Sequence, residues 1–166
     1  SPRHAPNIFG GSQDILAVTS DRPEIVLAVS RAECEAQLVP SEPKPSAIIY
    51  HLALRNEWLE ASEAGTEYRR STLGASVDDV GFIHCSFANQ VQRTADLFYR
   101  GRSDVVLLVI DPSQLEAELR VENLDGGEDE FPHIYAPLPI GAVIRVEPVG
   151  VDGDGTLDVA RLVDEA

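Results

Sequence analysis

Three of the four histidines sit in short apolar strings: Ile49-Tyr50-His51-Leu52, Gly81-Phe82-Ile83-His84-Cys85-Ser86 and Phe131-Pro132-His133-Ile134-Tyr135. Imidazole binds metals, moves protons near neutral pH, or makes a directed hydrogen bond, and each use needs its ring held in place by packing. Strand-like sequence supplies that rigidity. His51, His84 and His133 are far apart in the chain, so they act together only if their strands converge. Each is followed by a turn, a cap or an irregular segment, where functional groups tend to emerge.

Spacing separates the available chemistries. A zinc site with three imidazoles and one open position needs three ligands on one point. No His-x-His or His-x-x-x-His pair supports it, and no metal is predicted, although a three-histidine metal-dependent enzyme stays as an alternative. Asp152-Gly153-Asp154-Gly155-Thr156-Leu157-Asp158 resembles a calcium loop but has Val163 where the twelfth-position glutamate belongs, so it reads as a hairpin turn. Cys85 and Ser86 follow His84 directly; neighbouring strand residues point to opposite faces, which works against His84 activating Cys85. There is no Gly-x-Ser-x-Gly elbow, no Gly-x-x-x-x-Gly-Lys loop and no Gly-x-Gly-x-x-Gly turn.

The elements that must hold these residues follow from the apolar pattern and its breaks. Ala47 to Leu54 reads as a strand, and Arg55 to Ala64 as a helix stopped by Gly65. Thr66 to Val80 is polar and reads as a loop; Gly81 to Cys85 reads as a short strand. Ser86 is the expected N-cap of a helix running to about Tyr99, with Phe87, Val91, Ala95 and Phe98 near one face and Gly101 beyond its end. Val105 to Ile110 is an unbroken apolar strand, expected to be central and buried on both faces. Leu119 to Val121 and Ala142 to Val149 read as further strands, with an acidic loop from Asn123 to Glu130. The fold class is α+β, dominated by strands, with two short helices that each follow a histidine-bearing strand.

Residues 47–150 are expected to form the histidine-motif core, and 151–166 a turn and tail. Residues 1–46 read as an extension bounded by Pro-rich sequence, with a possible hairpin from Asp14 to Ser30 and a surface for a protein partner. At 166 residues and 43% hydrophobic content the chain can bury a real core. It has no apolar run near the roughly 20 residues that span a bilayer, and no signal-peptide pattern, so the expected location is the cytoplasm, with no membrane partner. The two cysteines, Cys34 and Cys85, read as free thiols.

A formal net charge of -15, from 28 acidic and 13 basic residues, excludes generic attraction to DNA, RNA or an anionic membrane. Lys44 is the only lysine. Arg69, Arg70, Arg93, Arg100 and Arg102 fall in one central region, and Arg suits bidentate capture of phosphate or carboxylate. They read either as such a pocket or as solvated surface groups.

The ordered motifs, Ile-Tyr-His-Leu before a Trp-bearing helix, Gly-Phe-Ile-His-Cys-Ser before a second helix, Val-Leu-Leu-Val-Ile-Asp-Pro, and Phe-Pro-His-Ile-Tyr-Ala-Pro-Leu-Pro, resemble the small bacterial family called domain of unknown function 952, over about Ala47 to Val149. That family is similar, more distantly, to the ADP-ribosyltransferase superfamily near RNA 2'-phosphotransferase. The resemblance implies a strand-rich, split-sheet ADP-ribosyltransferase-like fold that grips NAD, or an ADP-ribose or 2'-phosphate type ligand, between two sheets and acts on its ribose. It implies that His51, with Tyr50, binds ribose hydroxyls, and that Phe82, His84 and Ser86 face the nicotinamide side. In the third motif His133 and Tyr135 stand where the superfamily often has a glutamate, with Glu128, Asp129 and Glu130 just upstream. His51, His84 and His133 are then the catalytic candidates, and Arg69 or Arg70 the phosphate-binding ones. The partner expected is a small nucleotide-like molecule. A non-catalytic binding module with the same fold is the alternative.

Overall fold

The computed structural model describes residues 47–164. The hairpin expected between Asp14 and Ser30, the Pro-rich stretch and Cys34 lie outside the described residues.

Strand β1 (Ile49–Leu54) leads directly into helix α1 (Arg55–Ala64). Gly65 ends α1 in the left-handed conformation, at φ 62°, and its N–H closes onto the Ala61 and Ser62 carbonyls. Strands β2 (Arg70–Thr72) and β3 (Ala75–Ser76) form a small hairpin, followed by the single-turn helix α2 (Val77–Val80) and strand β4 (Ile83–His84). Helix α3 (Val91–Phe98) precedes strand β5 (Val105–Ile110). Strands β6 (Leu119–Glu122), β7 (Phe131–Ile134), β8 (Val143–Pro148), β9 (Gly150–Val151) and β10 (Leu157–Asp158) follow, and helix α4 (Ala160–Asp164) comes last.

Two three-stranded antiparallel sheets organise the chain, one in the order β1-β5-β8 and the other β4-β7-β6. All six residues of β5 are buried, because this central strand is covered on both faces. Its alternation divides the core. Val106, Leu108 and Ile110 join Ile49, Ala53, Trp58 and Tyr68 on one side. Val105, Leu107 and Val109 join Tyr50, Leu52, Val91, Ala95 and Tyr99 on the other. Leu157, Val159, Leu162 and Val163 pack into this second cluster, carried there by the β9–β10 hairpin. The Asp152–Gly155 segment is the turn of that hairpin, with Asp152 N–H bonded to the Thr156 carbonyl at 2.8 Å.

The fold is α+β and strand-rich, but the described residues contain four helices rather than two. The stretch Thr66 to Val80, read as a loop, holds β2, β3 and α2. Its signals are short: a Ser76 capping box, in which the Asp79 carboxylate accepts from Ser76 N–H at 2.8 Å, is enough for one helical turn. Helix α3 starts at Val91, not Ser86. The Ser86 backbone is committed elsewhere, exchanging hydrogen bonds of 2.9 and 2.8 Å with Tyr50, and its Oγ lies 3.1 Å from Thr94 Oγ1. The Gln90 side chain takes up the Phe87 N–H instead, at 3.0 Å.

Leu108 is fully buried in the central strand. Leu108→Ala should lower stability by about 2–5 kcal/mol through lost burial and the cavity left behind, read as a lower urea midpoint at unchanged m-value.

Candidate functional site

The edge of each main sheet contributes a histidine to one seam. His51 lies on β1, at the edge of the first sheet, and His84 on β4, at the edge of the second. The Tyr50–Ser86 backbone bridge joins these edges. Beside it, His51 Nδ1–H donates to the His84 carbonyl at 2.7 Å. That bond fixes the His51 tautomer, leaving Nε2 to face the Tyr68 hydroxyl at 3.4 Å. Tyr68 is itself buried, and burial pushes its phenol well above the ordinary range, so it is a donor here. His51 is therefore an anchored wall residue, with both ring nitrogens engaged.

Strand alternation explains the second sheet. Ile83, Cys85 and Ile134 point into the core, while Phe82, His84, Phe131, His133 and Tyr135 take the other face. His84 and His133 are opposite one another in the β4–β7 register, and His84 Nδ1 lies 3.2 Å from His133 Nε2. Phe82 meets the His133 ring edge-on with centroids 4.7 Å apart. His133 Nδ1 is buried without a hydrogen-bond partner; Glu122 Oε1 is 3.8 Å away, and the carboxylate accepts a close hydrogen bond from Tyr135 Oη. Cys85 is a buried free thiol whose ionisation burial suppresses, which removes it as a nucleophile.

Three depressions meet at Thr72 and His84. One, of about 280 Å³, is lined by Tyr50, His51, Ser71, Ser86, Thr94 and Tyr99 among others. A second, of about 210 Å³, is walled by Leu97, Phe98 and Phe131, with Arg93, Asp125, Glu128 and Asp129 at its polar side. The third, of about 240 Å³, reaches Phe82, Leu124 and His133. Leu97 and Phe98 are 64% and 62% exposed, so this wall is open to a ligand rather than filled by the core.

The structure thus brings together His51, His84 and His133 with Tyr50, Phe82 and Ser86. Tyr135 lies outside these depressions, bonded to Glu122 under the Arg120 guanidinium, 4.4 Å from the ring centroid. Arg69 and Arg70 line a separate depression, where Arg69 pairs with Asp78 at 2.5 Å and Arg70 with Glu57 at 3.3 Å. The guanidinium at the cleft is Arg93, held by Asp129 at 2.8 Å. Thr72, Thr94, Phe98 and Phe131 line the cleft without any motif that marks them; the alternation around His84 and His133 is the available signal for Phe131, and the face of α3 for Phe98. Among the described residues no group of three or more His, Cys, Asp or Glu is placed to hold a metal ion. No helix there is long and apolar enough to cross a membrane.

This strand-rich α+β arrangement, with a histidine-lined seam between two small sheets, has relatives. The chain belongs to the family described as "Protein of unknown function (DUF952)", whose model matches residues 52–146. The crystal structure of protein CC0527 from Caulobacter crescentus is similar at 32% identity and a TM-score of 0.63, over 71% of this chain and 99% of that one. The solution structure of CC0527 gives 35% identity and a TM-score of 0.58, covering 69% and 95%. No curated protein matches this chain.

Burial decides the charge of the rings. It pushes His51 down to about 4, against a smaller upward pull from its bond to the His84 carbonyl. His84 also falls to about 4, through burial first and then His133 and His51, with Asp125 pulling upward. His133 is lowered by burial, against Glu122, the Phe131 backbone and Asp125. An unfolded histidine titrates near 6.5. Between about 6.5 and 4 the unfolded chain therefore holds protons that the folded one does not, and stability falls as pH drops through this window. For His51 alone the full loss is on the order of 3 kcal/mol. Denaturant midpoints should be flat above pH 7 and decline steadily from 6.5 to 4; a midpoint constant across that window would show that the rings are not held neutral.

Proposed function

We propose that this protein binds NAD, or an ADP-ribose or 2'-phosphate type ligand, in the cleft centred on His84 and acts on its ribose as an ADP-ribosyl or phosphoryl transferase-like enzyme. The observation that carries this reading is the meeting of the three depressions at Thr72 and His84. One imidazole there stands between an apolar wall and a cluster of hydroxyls. Leu97, Phe98 and Phe131 suit the flat face of a base or nicotinamide ring, since aromatic surface favours stacking. Ser71, Thr72, Ser86 and Thr94 offer hydroxyls for a sugar.

Cleavage of a nicotinamide–ribose bond develops positive charge on the sugar, which fixed dipoles and carboxylates at the site lower in energy. Asp125, Glu128 and Asp129 border the depression that His84 lines. Arg93, which lines the cleft, takes the phosphate-facing role in place of Arg69 and Arg70. It would have to exchange Asp129 for the phosphate, so anionic ligands bind at the cost of an exposed ion pair worth little in water. His51 orients His84 through its 2.7 Å bond to the carbonyl and closes the floor beside Tyr50.

NAD, ADP-ribose and a 2'-phosphorylated RNA end should be screened by thermal shift, with product analysis separating turnover from binding alone. His84→Ala should weaken the best of these ligands at least tenfold by calorimetry while its melting temperature stays within a few degrees of the parent. Affinity unchanged by His84→Ala would overturn the reading.

A further inference from the structure

The His133 side chain is 3% exposed, and its Nδ1 makes no hydrogen bond of good geometry; the groups that act on this ring are the Glu122 carboxylate and the Phe131 backbone. Buried polar atoms are nearly always paired, so an orphan needs a reason. Glu122 Oε1, 3.8 Å away, is held in that position by Tyr135 Oη, which donates to the same oxygen. Arg120, stacked on the Tyr135 ring, makes its ion pair with Glu118, at 2.7 and 2.9 Å.

A neutral imidazole carries its proton on one nitrogen, and the choice at His133 propagates. With the proton on Nδ1, His133 directs an N–H toward the Glu122 carboxylate and its Nε2 becomes an acceptor. The 3.2 Å contact then requires His84 to donate from Nδ1. His84 Nε2 is left as a lone pair on the ring that lines all three depressions. With the proton on Nε2 of His133, its bare Nδ1 would face a carboxylate in a buried setting, two acceptors with no proton between them. That arrangement is the costlier one.

We infer that Glu122 is a positioning residue: through His133 it holds His84 in the Nδ1–H tautomer, so that the cleft presents a hydrogen-bond acceptor, which takes a hydroxyl or N–H of the ligand and not a phosphate oxygen. The ligand part of this inference rests on the function proposed above; the tautomer part does not. Glu122 touches no ligand in this scheme. It acts through two rings, as an outer partner does when it fixes the tautomer of a ligating histidine.

The test is the protonation pattern of the ring nitrogens, read from long-range proton–nitrogen correlations on histidine-labelled full-length protein at pH 7. His84 should show a proton on Nδ1 and none on Nε2. His51, fixed by the His84 carbonyl, is the internal control for the same pattern. Glu122→Gln offers an amide N–H to His133 Nδ1 and should shift His84 toward the Nε2–H form, whereas Glu122→Asp keeps the charge and should retain the parent pattern. A purely structural Glu122 would leave the tautomer unchanged in both variants, and that outcome overturns the inference. So does a parent protein with the proton on His84 Nε2, which decides the matter even if a variant fails to fold. Calorimetry with ADP-ribose separates the two claims. Binding about tenfold weaker in Glu122→Gln than in the parent supports both. The expected tautomer in a parent that does not bind ADP-ribose supports the relay and counts against the proposed ligand.

Discussion

The paired backbone hydrogen bonds between Tyr50 and Ser86, with the His51 ring bonded to the His84 carbonyl beside them, are the constraint on which the rest of the structure depends. An edge strand leaves N–H and C=O groups without partners, and two sheets that meet edge to edge must satisfy or shield them. Here one backbone bridge is supplemented by side chains, the His84 N–H donating to Ser71 Oγ at 3.3 Å and its carbonyl accepting from His51. Because β4 is only two residues long, pairing cannot continue along β1, and the sheets part on either side of the seam. One of the three depressions opens at this seam, with Tyr50, His51, His84 and Ser86 in its lining; the other two are bounded by the second sheet, the β2–β3 hairpin, α3 and the acidic loop.

This geometry also explains what was legible in the sequence and what was not. Strand β5 and helix α1 were readable to the residue, because double-sided burial and an αL glycine cap are local, strong signals. The histidines were readable as a group because each sits in an apolar string. Their division of labour was not. His51 is anchored through both nitrogens, and His84 is the ring left open to the cleft, a difference created by contacts spanning 17, 33 and 49 residues of sequence. Ser86 looked like a helix cap because its type and position fit one. Its backbone is diverted by a partner far upstream, and no local pattern reveals that.

The arginines show the same limit. Arg69, Arg70, Arg93, Arg100 and Arg102 cluster in sequence, yet each forms an ion pair, with Asp78, Glu57, Asp129, Asp154 and Asp104 respectively. In a chain with 28 acidic residues, carboxylates within reach of any arginine are abundant, so a linear cluster of arginines does not become a cationic pocket. The solvated-surface reading of these residues is the one the ion pairs favour.

The electrostatic character of the cleft follows from these facts together. Burial lowers all three of its imidazoles below the ordinary histidine range and so favours their neutral forms. The formal charges among its lining residues are then Arg93, already paired with Asp129, and the carboxylates Asp125 and Glu128. Such a site is mildly negative, lined on one side by exposed aromatic and aliphatic side chains, and equipped with neutral hydrogen-bonding groups at its centre. Within the function proposed above, this character suits the sugar of NAD or ADP-ribose at the centre of the site better than it suits a 2'-phosphate there. Under the same proposal the phosphates would lie beside Arg93, in the depression it shares with His84, and the sugar where the three depressions meet.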